Sequence, residues 1–295
     1  MTRLLRILFT IPALLPLWAL YPLSSVVAWL MGSVIGYRRC VVMDNLRACF
    51  PEKSETERAK IAREFYRNFA DSIVETVKVL HISDKEMSQR MEFDGIDIVD
   101  RLMAEKRNIV VYFSHTFNWE WAPSVTMHSQ LQPSPDNHIL FGQIYRPLRN
   151  KAFDRLMLHI RSRFQSVCID KSTALRQLVR ASRNGSFCVG FMSDQHPSHG
   201  DAGVLTTLLG RPTLMISGTE VLARKLNAAA IYWDMEHLSR GHYRITIRQM
   251  ADNLNEVAEG DLTRQYTQLL EQTIRRDPAI WLWSHNRWKH PIPQQ

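Results

Sequence analysis

Residues 7–36, ILFTIPALLPLWALYPLSSVVAWLMGSVIG, contain no charged side chain; Arg3 and Arg6 precede them and Arg38 and Arg39 follow. As a helix the stretch would extend about 45 Å at ~1.5 Å per residue, against a hydrocarbon core of ~30 Å. It is long enough to cross a bilayer with tilt, or to enter one and lie along its interface. Pro12, Pro16 and Pro22 would interrupt a straight helix, while Trp18, Tyr21 and Trp29 suit the headgroup level. A cleaved signal peptide has a shorter apolar core and a small-residue cleavage site, and a buried core helix of this length rarely lacks charge. The expectation is therefore a membrane anchor over residues 1–37. Two arginines flank it on each side, so the positive-inside rule gives no orientation.

The remainder, 38–295, is long enough to bury a sizeable core and shows no Pro/Gly/Ser linker, repeat or low-complexity tract. A single α/β domain is expected there. The net charge of +8 suits an anionic partner such as phosphate, nucleic acid or an acidic lipid surface. Nucleic acid fits poorly: there is no zinc finger, RRM signature or basic zipper, and an apolar anchor is out of place in such a protein. Cys40, Cys49, Cys168 and Cys188 form no CxxC pair and no zinc-finger spacing, which favours a reducing compartment over a disulfide framework.

After the anchor, Ser54 and Glu57 make a capping box. Ile61, Phe65, Phe69, Ile73 and Val77 recur every four residues as one apolar stripe on a long helix. From residue 108 the pattern predicts strands at 108–113, 138–145, 166–169, 187–194, 229–235 and 242–250, the last two as an antiparallel hairpin. Helical patterns lie between most of them, at 119–130, 150–164, 173–183 and 214–227, and a final helix spans 261–276. This alternation predicts a mixed central sheet with helices on both faces, behind an N-terminal membrane-anchoring helical segment.

The strand NIVVYF runs into SHTFNWEW (114–121). The carboxyl ends of strands are where α/β sheets bind ligands. On an ideal helix a spacing of five turns side chains about 140° apart, so His115 and Glu120 are no helix-face pair and lack the HExxH spacing of a zinc protease. They converge if His115 leaves the strand in an irregular turn and Glu120 lies in the first turn of a helix capped by Asn118. Such a pair supports general-base catalysis, with the acid fixing the imidazole tautomer. No GxSxG elbow is present, so the base would act on a substrate hydroxyl. Ser114 is the alternative nucleophile. The plainer alternative is a satisfied buried histidine beside a carboxylate that complements a helix dipole.

Arg146 and Arg149 end the strand at 138–145, where they would hold a phosphate or an oxyanion, or be solvated. Asp194, Gln195, His196, His199 and Asp201 crowd another strand end. Their spacing fits no standard metal site, and Asp194 with Gln195 reads as a structural or substrate-orienting pair. Arg176, Arg180 and Arg183 share one helix face, either solvated or a docking face for an acidic protein or anionic headgroups. Trp281 and Trp283 read as packing residues, with His285 among them at an interface.

Taken together, HTFNWE (115–120), RRCVVMDNLRACFPE (38–52), YRPLRNKAFD (145–154), SDQHPSHGDAGVLTTLLGRPTLMISGTEVLARKLNAA (193–229) and WLWSHNRWK (281–289) resemble, in order, the bacterial lipid A biosynthesis acyltransferases of the Kdo-dependent lauroyl/myristoyl group. The resemblance implies an enzyme at the cytoplasmic face of the bacterial inner membrane. It would move a fatty acyl chain from acyl carrier protein to a hydroxyl of a lipid A precursor, with no metal or organic cofactor and no acyl-enzyme. It also implies His115 as general base and Glu120 as its orienting acid; Arg146, Arg149, Asn118, Asp194 and Gln195 are read beside them as the substrate-binding candidates. The family often has glycine two residues after the histidine; Phe117 stands there, so either the turn differs or Phe117 lines the acyl path. Two other readings stay open. One is transfer to another phospholipid, glycolipid or aminolipid, with acyl-CoA as a possible donor; the other is a membrane lipid-binding protein whose histidine pair is structural.

Overall fold

A computed structural model describes residues 9–132, 138–198 and 203–289. Seven strands form a central sheet in the order β1-β9-β8-β2-β5-β3-β4. They are β1 (Met91–Asp94), β2 (Ile109–Phe113), β3 (Ile139–Tyr145), β4 (Val167–Asp170), β5 (Ser186–Met192), β8 (Ala229–Ser239) and β9 (His242–Ala251). Only β8 and β9 pair antiparallel; β1 runs parallel to β9, and the other neighbours are parallel. β2 is buried at every position, as a central parallel strand covered on both faces must be. The two-residue period of a strand divides its side chains. Val110 and Tyr112 enter one core, and Ile109, Val111 and Phe113 enter the core on the opposite face.

The helices are α1 (Leu17–Trp29), α2 (Arg39–Cys49), α3 (Glu55–Lys78), α4 (Asp84–Arg90), α5 (Ile96–Ala104), α6 (Lys151–Arg161), α7 (Ala174–Asn184), α8 (Gly218–Lys225) and α9 (Asp261–Arg276). A helical stretch at 9–14 precedes α1. Ser54 caps α3 in the expected capping box. Two expectations change. Leu214–Ile216 belong not to a helix but to β7 (Arg211–Ile216), which pairs with β6 (Gly203–Leu208) in a separate two-stranded sheet. Its turn, Leu209–Gly210, takes positive φ at both residues, the geometry of a tight hairpin. The segment after His115 is a 3₁₀ helix, Trp119–Met127, with Pro123 inside it and Asn118 as its cap.

Leu17–Val34 is long and apolar enough to cross a membrane, with a mean hydropathy of 1.4 over 18 residues. It nevertheless lies antiparallel along α3. Lys78 Nζ donates to the carbonyls of Ala13 and Leu15, Tyr21 reaches Glu75, and Ser24 reaches Asp71. Farther along, Gly32 faces Tyr66 so closely that an added Cβ would stand 2.8 Å from its ring. The outer face is left bare: Trp18 is 77% exposed, and Ile11, Leu14, Leu23, Val26 and Trp29 are exposed with it. The stripe expected on α3 holds at Ile61 and Phe65, but Ile73 points outward, and Asp71, Ser72, Glu75 and Lys78 are buried instead.

Candidate active site

A cavity of about 460 Å³ opens at the carboxyl ends of β2, β3 and β5. His115, two residues beyond the end of β2, lines it, and the backbone of its turn is held on both sides by the C-terminal segment. Phe117 N–H donates to the Ile280 carbonyl (2.9 Å), and Leu282 N–H donates to the His115 carbonyl (3.1 Å). The Phe117–Asn118 peptide is cis.

The partner of His115 is Asp194, at the end of β5. Nδ1 of His115 stands 2.6 Å from Asp194 Oδ1, and the His115 backbone N–H donates to Oδ2 at 3.1 Å. Trp281 Nε1–H donates to the same Oδ2 at 2.9 Å. Asp194 is buried, which by itself would raise its pKa. The His115 charge and hydrogen bond, the Trp281 bond and the Arg287 charge outweigh burial and hold it well below the usual carboxylate range. An ionised acceptor at Nδ1 puts the ring proton there, so Nε2 carries the lone pair. That nitrogen sits 3.3 Å from Gln195 Nε2, and both residues line the cavity.

Glu120 is not bonded to His115. Arg161, at the end of α6, takes both carboxylate oxygens, Nε to Oε2 at 2.8 Å and Nη2 to Oε1 at 2.6 Å, and Trp119 Nε1–H adds a bond to Oε1 at 3.1 Å. This bidentate geometry is the strong form of the pairing. Burial alone would lower the Arg161 pKa; the bonds and charge of Glu120 more than offset it and raise it. Glu120, Arg161 and Trp119 line the same cavity as His115. The expected His115–Glu120 pair is thus two pairs, His115–Asp194 and Glu120–Arg161, set side by side. Neither Asp194 nor Arg161 is near its partner in sequence, so no spacing could announce them.

Arg146 stands exposed at the cavity rim with Lys171, whereas Arg149 is exposed outside the lining. Asn118 is buried behind the site. Its Oδ1 accepts from Glu120 N–H (3.1 Å) and its Nδ2 donates to Glu75 (3.1 Å), which leaves it a cap and not a substrate contact. Ser114 is buried outside the cavity lining, 3.4 Å from the Thr116 hydroxyl. Phe117 does not line the cavity; it is fully buried and stacks on Phe69 and Trp119. Trp281, expected only to pack, also holds Asp194. Among the described residues no group of three or more His, Cys, Asp or Glu could hold a metal ion; His199 and Asp201 lie outside those residues. His196 is turned to its neighbour, with Nδ1 2.6 Å from the Pro197 carbonyl oxygen.

The walls are mostly apolar, with Ala122, Val125, Cys188, Gly190 and Trp233 from three elements. A base whose lone pair is turned into the cavity beside the Gln195 amide, a guanidinium in the same lining and an apolar recess can together accept a hydroxyl proton, meet negative charge and bury an alkyl chain.

Residues 2–290 match the family model for bacterial lipid A biosynthesis acyltransferase. The lipid A biosynthesis palmitoleoyltransferase of Escherichia coli (strain K12) is 25% identical over 282 residues, covering 92% of this chain and 88% of that protein. The lauroyltransferase of the same organism is 23% identical, covering 92% and 89%. Its myristoyltransferase is 22% identical, covering 83% and 73%. With a match across nearly its whole length, the chain belongs to the bacterial lipid A biosynthesis acyltransferase family and is an acyltransferase.

Proposed function

We propose that this protein moves a fatty acyl chain from acyl carrier protein to a hydroxyl of a lipid A precursor, at the cytoplasmic face of the inner membrane. The observation that carries the reading is the His115–Asp194 pair, whose Nε2 lone pair is turned to a largely apolar cavity where the Gln195 amide, at 3.3 Å, meets it. His115 Nε2 takes the proton of the acceptor hydroxyl as its oxygen attacks the donor thioester carbonyl. The tetrahedral intermediate collapses with cleavage of the C–S bond, and the imidazolium returns the proton to the leaving sulfur. Asp194 fixes the tautomer and stabilises the cation between these steps. Glu120 acts through Arg161, holding its guanidinium at the cavity with Nη1 uncommitted to the pair, where it meets the developing oxyanion or an acceptor phosphate. Arg146 at the rim meets the acceptor's outer charge.

The relatives' names place them in lipid A biosynthesis, which supports a lipid A precursor as acceptor, and the bare apolar face of α1 suits a membrane-borne substrate. For the donor, Arg176, Arg180 and Arg183 line an exposed cleft on α7, which follows β4 at the opposite sheet edge from β8–β9. Basic faces of this kind attract acidic proteins. The test is acyl transfer by the detergent-purified protein, from acyl carrier protein to tetra- or penta-acylated lipid A precursors, with His115→Ala alongside. Product from wild type and a loss of ~10²-fold or more in the variant support the reading. Turnover only with a phospholipid, glycolipid or aminolipid acceptor, or only with acyl-CoA, would replace the acceptor or the donor. Equal rates in both proteins would overturn the assignment of the base.

A further inference from the structure

Glu75 is fully buried on α3, outside the cavity lining, and takes no part in the chemistry above. Three donors from three separate elements converge on its carboxylate. Tyr21 Oη of α1 donates to Oε1 at 3.0 Å; Tyr243 Oη of β9 and Asn118 Nδ2 of the catalytic turn donate to Oε2 at 2.8 and 3.1 Å. The Glu75 carbonyl also accepts from Trp121 Nε1–H at 3.1 Å. Asn118 passes the constraint on, because its Oδ1 holds the amide of Glu120. A buried polar group without a partner is costly, and a carboxylate can accept from several donors while presenting none of its own. A small apolar residue at position 75 would strand three donors at once, one of them in SHTFNWEW.

The contacts around Glu75 show that α1 is clamped onto the domain. Arg240, in the β8–β9 turn, donates to both oxygens of Asp71 (2.8 and 2.6 Å) and to the Tyr21 carbonyl (3.0 Å). Ser24 donates to Asp71 at 2.5 Å. The inner face of α1 therefore carries specific polar contacts to α3 and to the β8–β9 turn, and reaches the turn that bears His115 through Glu75 and Asn118, while its outer face is bare and apolar.

From this geometry we infer that Glu75 is a positioning residue, coupling the seating of the apolar N-terminal helix to the placement of the catalytic turn. The inference rests on the reading of His115 as the base. It makes α1 part of the machinery: turnover depends on the helix being docked, in addition to any attachment it provides.

The experiment compares wild type, Glu75→Ala, Glu75→Gln and Tyr21→Phe in detergent. It has two readouts, hydrogen exchange of the amides at 114–121 and steady-state acyl transfer from the carrier-bound donor. Glutamine can keep its oxygen toward Asn118 and Tyr243 and turn its amide toward Tyr21, so Glu75→Gln should retain most of the wild-type rate. Glu75→Ala should exchange faster at 114–121 and lose up to ~10²-fold in kcat, the scale of a small misplacement of reacting groups, with little change in KM. Tyr21→Phe, altered only in α1, should raise exchange at 114–121 about fivefold, the scale of one hydrogen bond. Unchanged exchange at 114–121 in both Glu75→Ala and Tyr21→Phe would overturn the coupling. So would a lowered melting temperature in Glu75→Ala with full kcat per folded molecule. Exchange needs no substrate, so a wild type without turnover would sink the functional reading and still leave the coupling decided.

Discussion

His115 Nδ1 and Asp194 Oδ1 stand 2.6 Å apart at the ends of two neighbouring parallel strands, β2 and β5, and the Trp281 indole holds the far carboxylate oxygen. Asp194→Asn keeps the shape and removes the charge that supports an imidazolium. A loss of ~10²-fold or more in kcat, with KM within a few-fold, is expected in steady-state transfer assays. A rate within twofold of wild type would show that Asp194 does not orient the base.

Glu120 and Arg161 form a two-bond pair with little exposure. Arg161→Ala strands the Glu120 carboxylate and should cost about 3 kcal/mol in denaturant unfolding. Replacing both, as Glu120→Leu with Arg161→Met, removes the stranded charge and should recover most of that stability without recovering transfer. Recovery of both would reduce the pair to a structural role.

The inner strands of the central sheet were legible because strands buried on both faces leave continuous apolar runs: NIVVYF and AAIYWDM both fall on such strands. β1 was not, since MEFD is four residues with two outward charges. β7 merged with the following helix because TLMI carries no period that separates strand from helix. In the site, His115 was legible as polar residues ending a buried strand. Its partner was not, because Asp194 arrives through strand order and Glu120 is diverted by an arginine from α6. Glu75 escaped notice for a related reason: apolar periodicity along α3 finds Phe65 and misses buried polar residues whose partners belong to other elements.

Burial pushes the Glu75 carboxyl up to about 7, with nearby Asp71 adding to it and the bonds from Tyr243, Asn118 and Tyr21 opposing it. The folded state therefore holds this proton more tightly than the unfolded chain. The stability it contributes is fully present below about pH 4.5 and is lost as pH rises through about 7, an effect of roughly 3 kcal/mol. Asp194 has the opposite sign, and its contribution is lost only in strong acid. His128, His237 and His285, lowered by burial, also oppose Glu75. The quantity to read is thus the difference between wild type and Glu75→Gln in denaturant unfolding. Wild type should lose stability relative to the variant as pH rises from about 4.5 to 7, with the difference level above that; parallel profiles would remove the titration.

Gly190 lines the cavity from the middle of β5, and an added Cβ there meets nothing closer than 3.8 Å. Gly190→Val would project into the space assigned to the acyl chain. Each methylene denied burial costs ~0.8 kcal/mol, or about fourfold. Preference among donors of graded chain length should shift toward shorter chains, with the melting temperature little changed. An unshifted profile would place the acyl chain elsewhere.

Arg176, Arg180 and Arg183 are exposed along α7 and make no ion pair among the described residues. β9, beside the α1 seam, and β4, beside α7, lie five strand spacings apart, about 24 Å at ~4.8 Å each. That distance favours a soluble partner at α7 over a bilayer that α1 would meet. Reversing all three to glutamate should raise KM for the carrier-bound donor by ~10-fold or more at low salt, with kcat nearly unchanged and the deficit shrinking as salt screens the interaction. A short thioester lacking the carrier protein should be used equally well by both proteins. If instead the triple variant loses vesicle binding and keeps its KM for the carrier, the face belongs to the membrane.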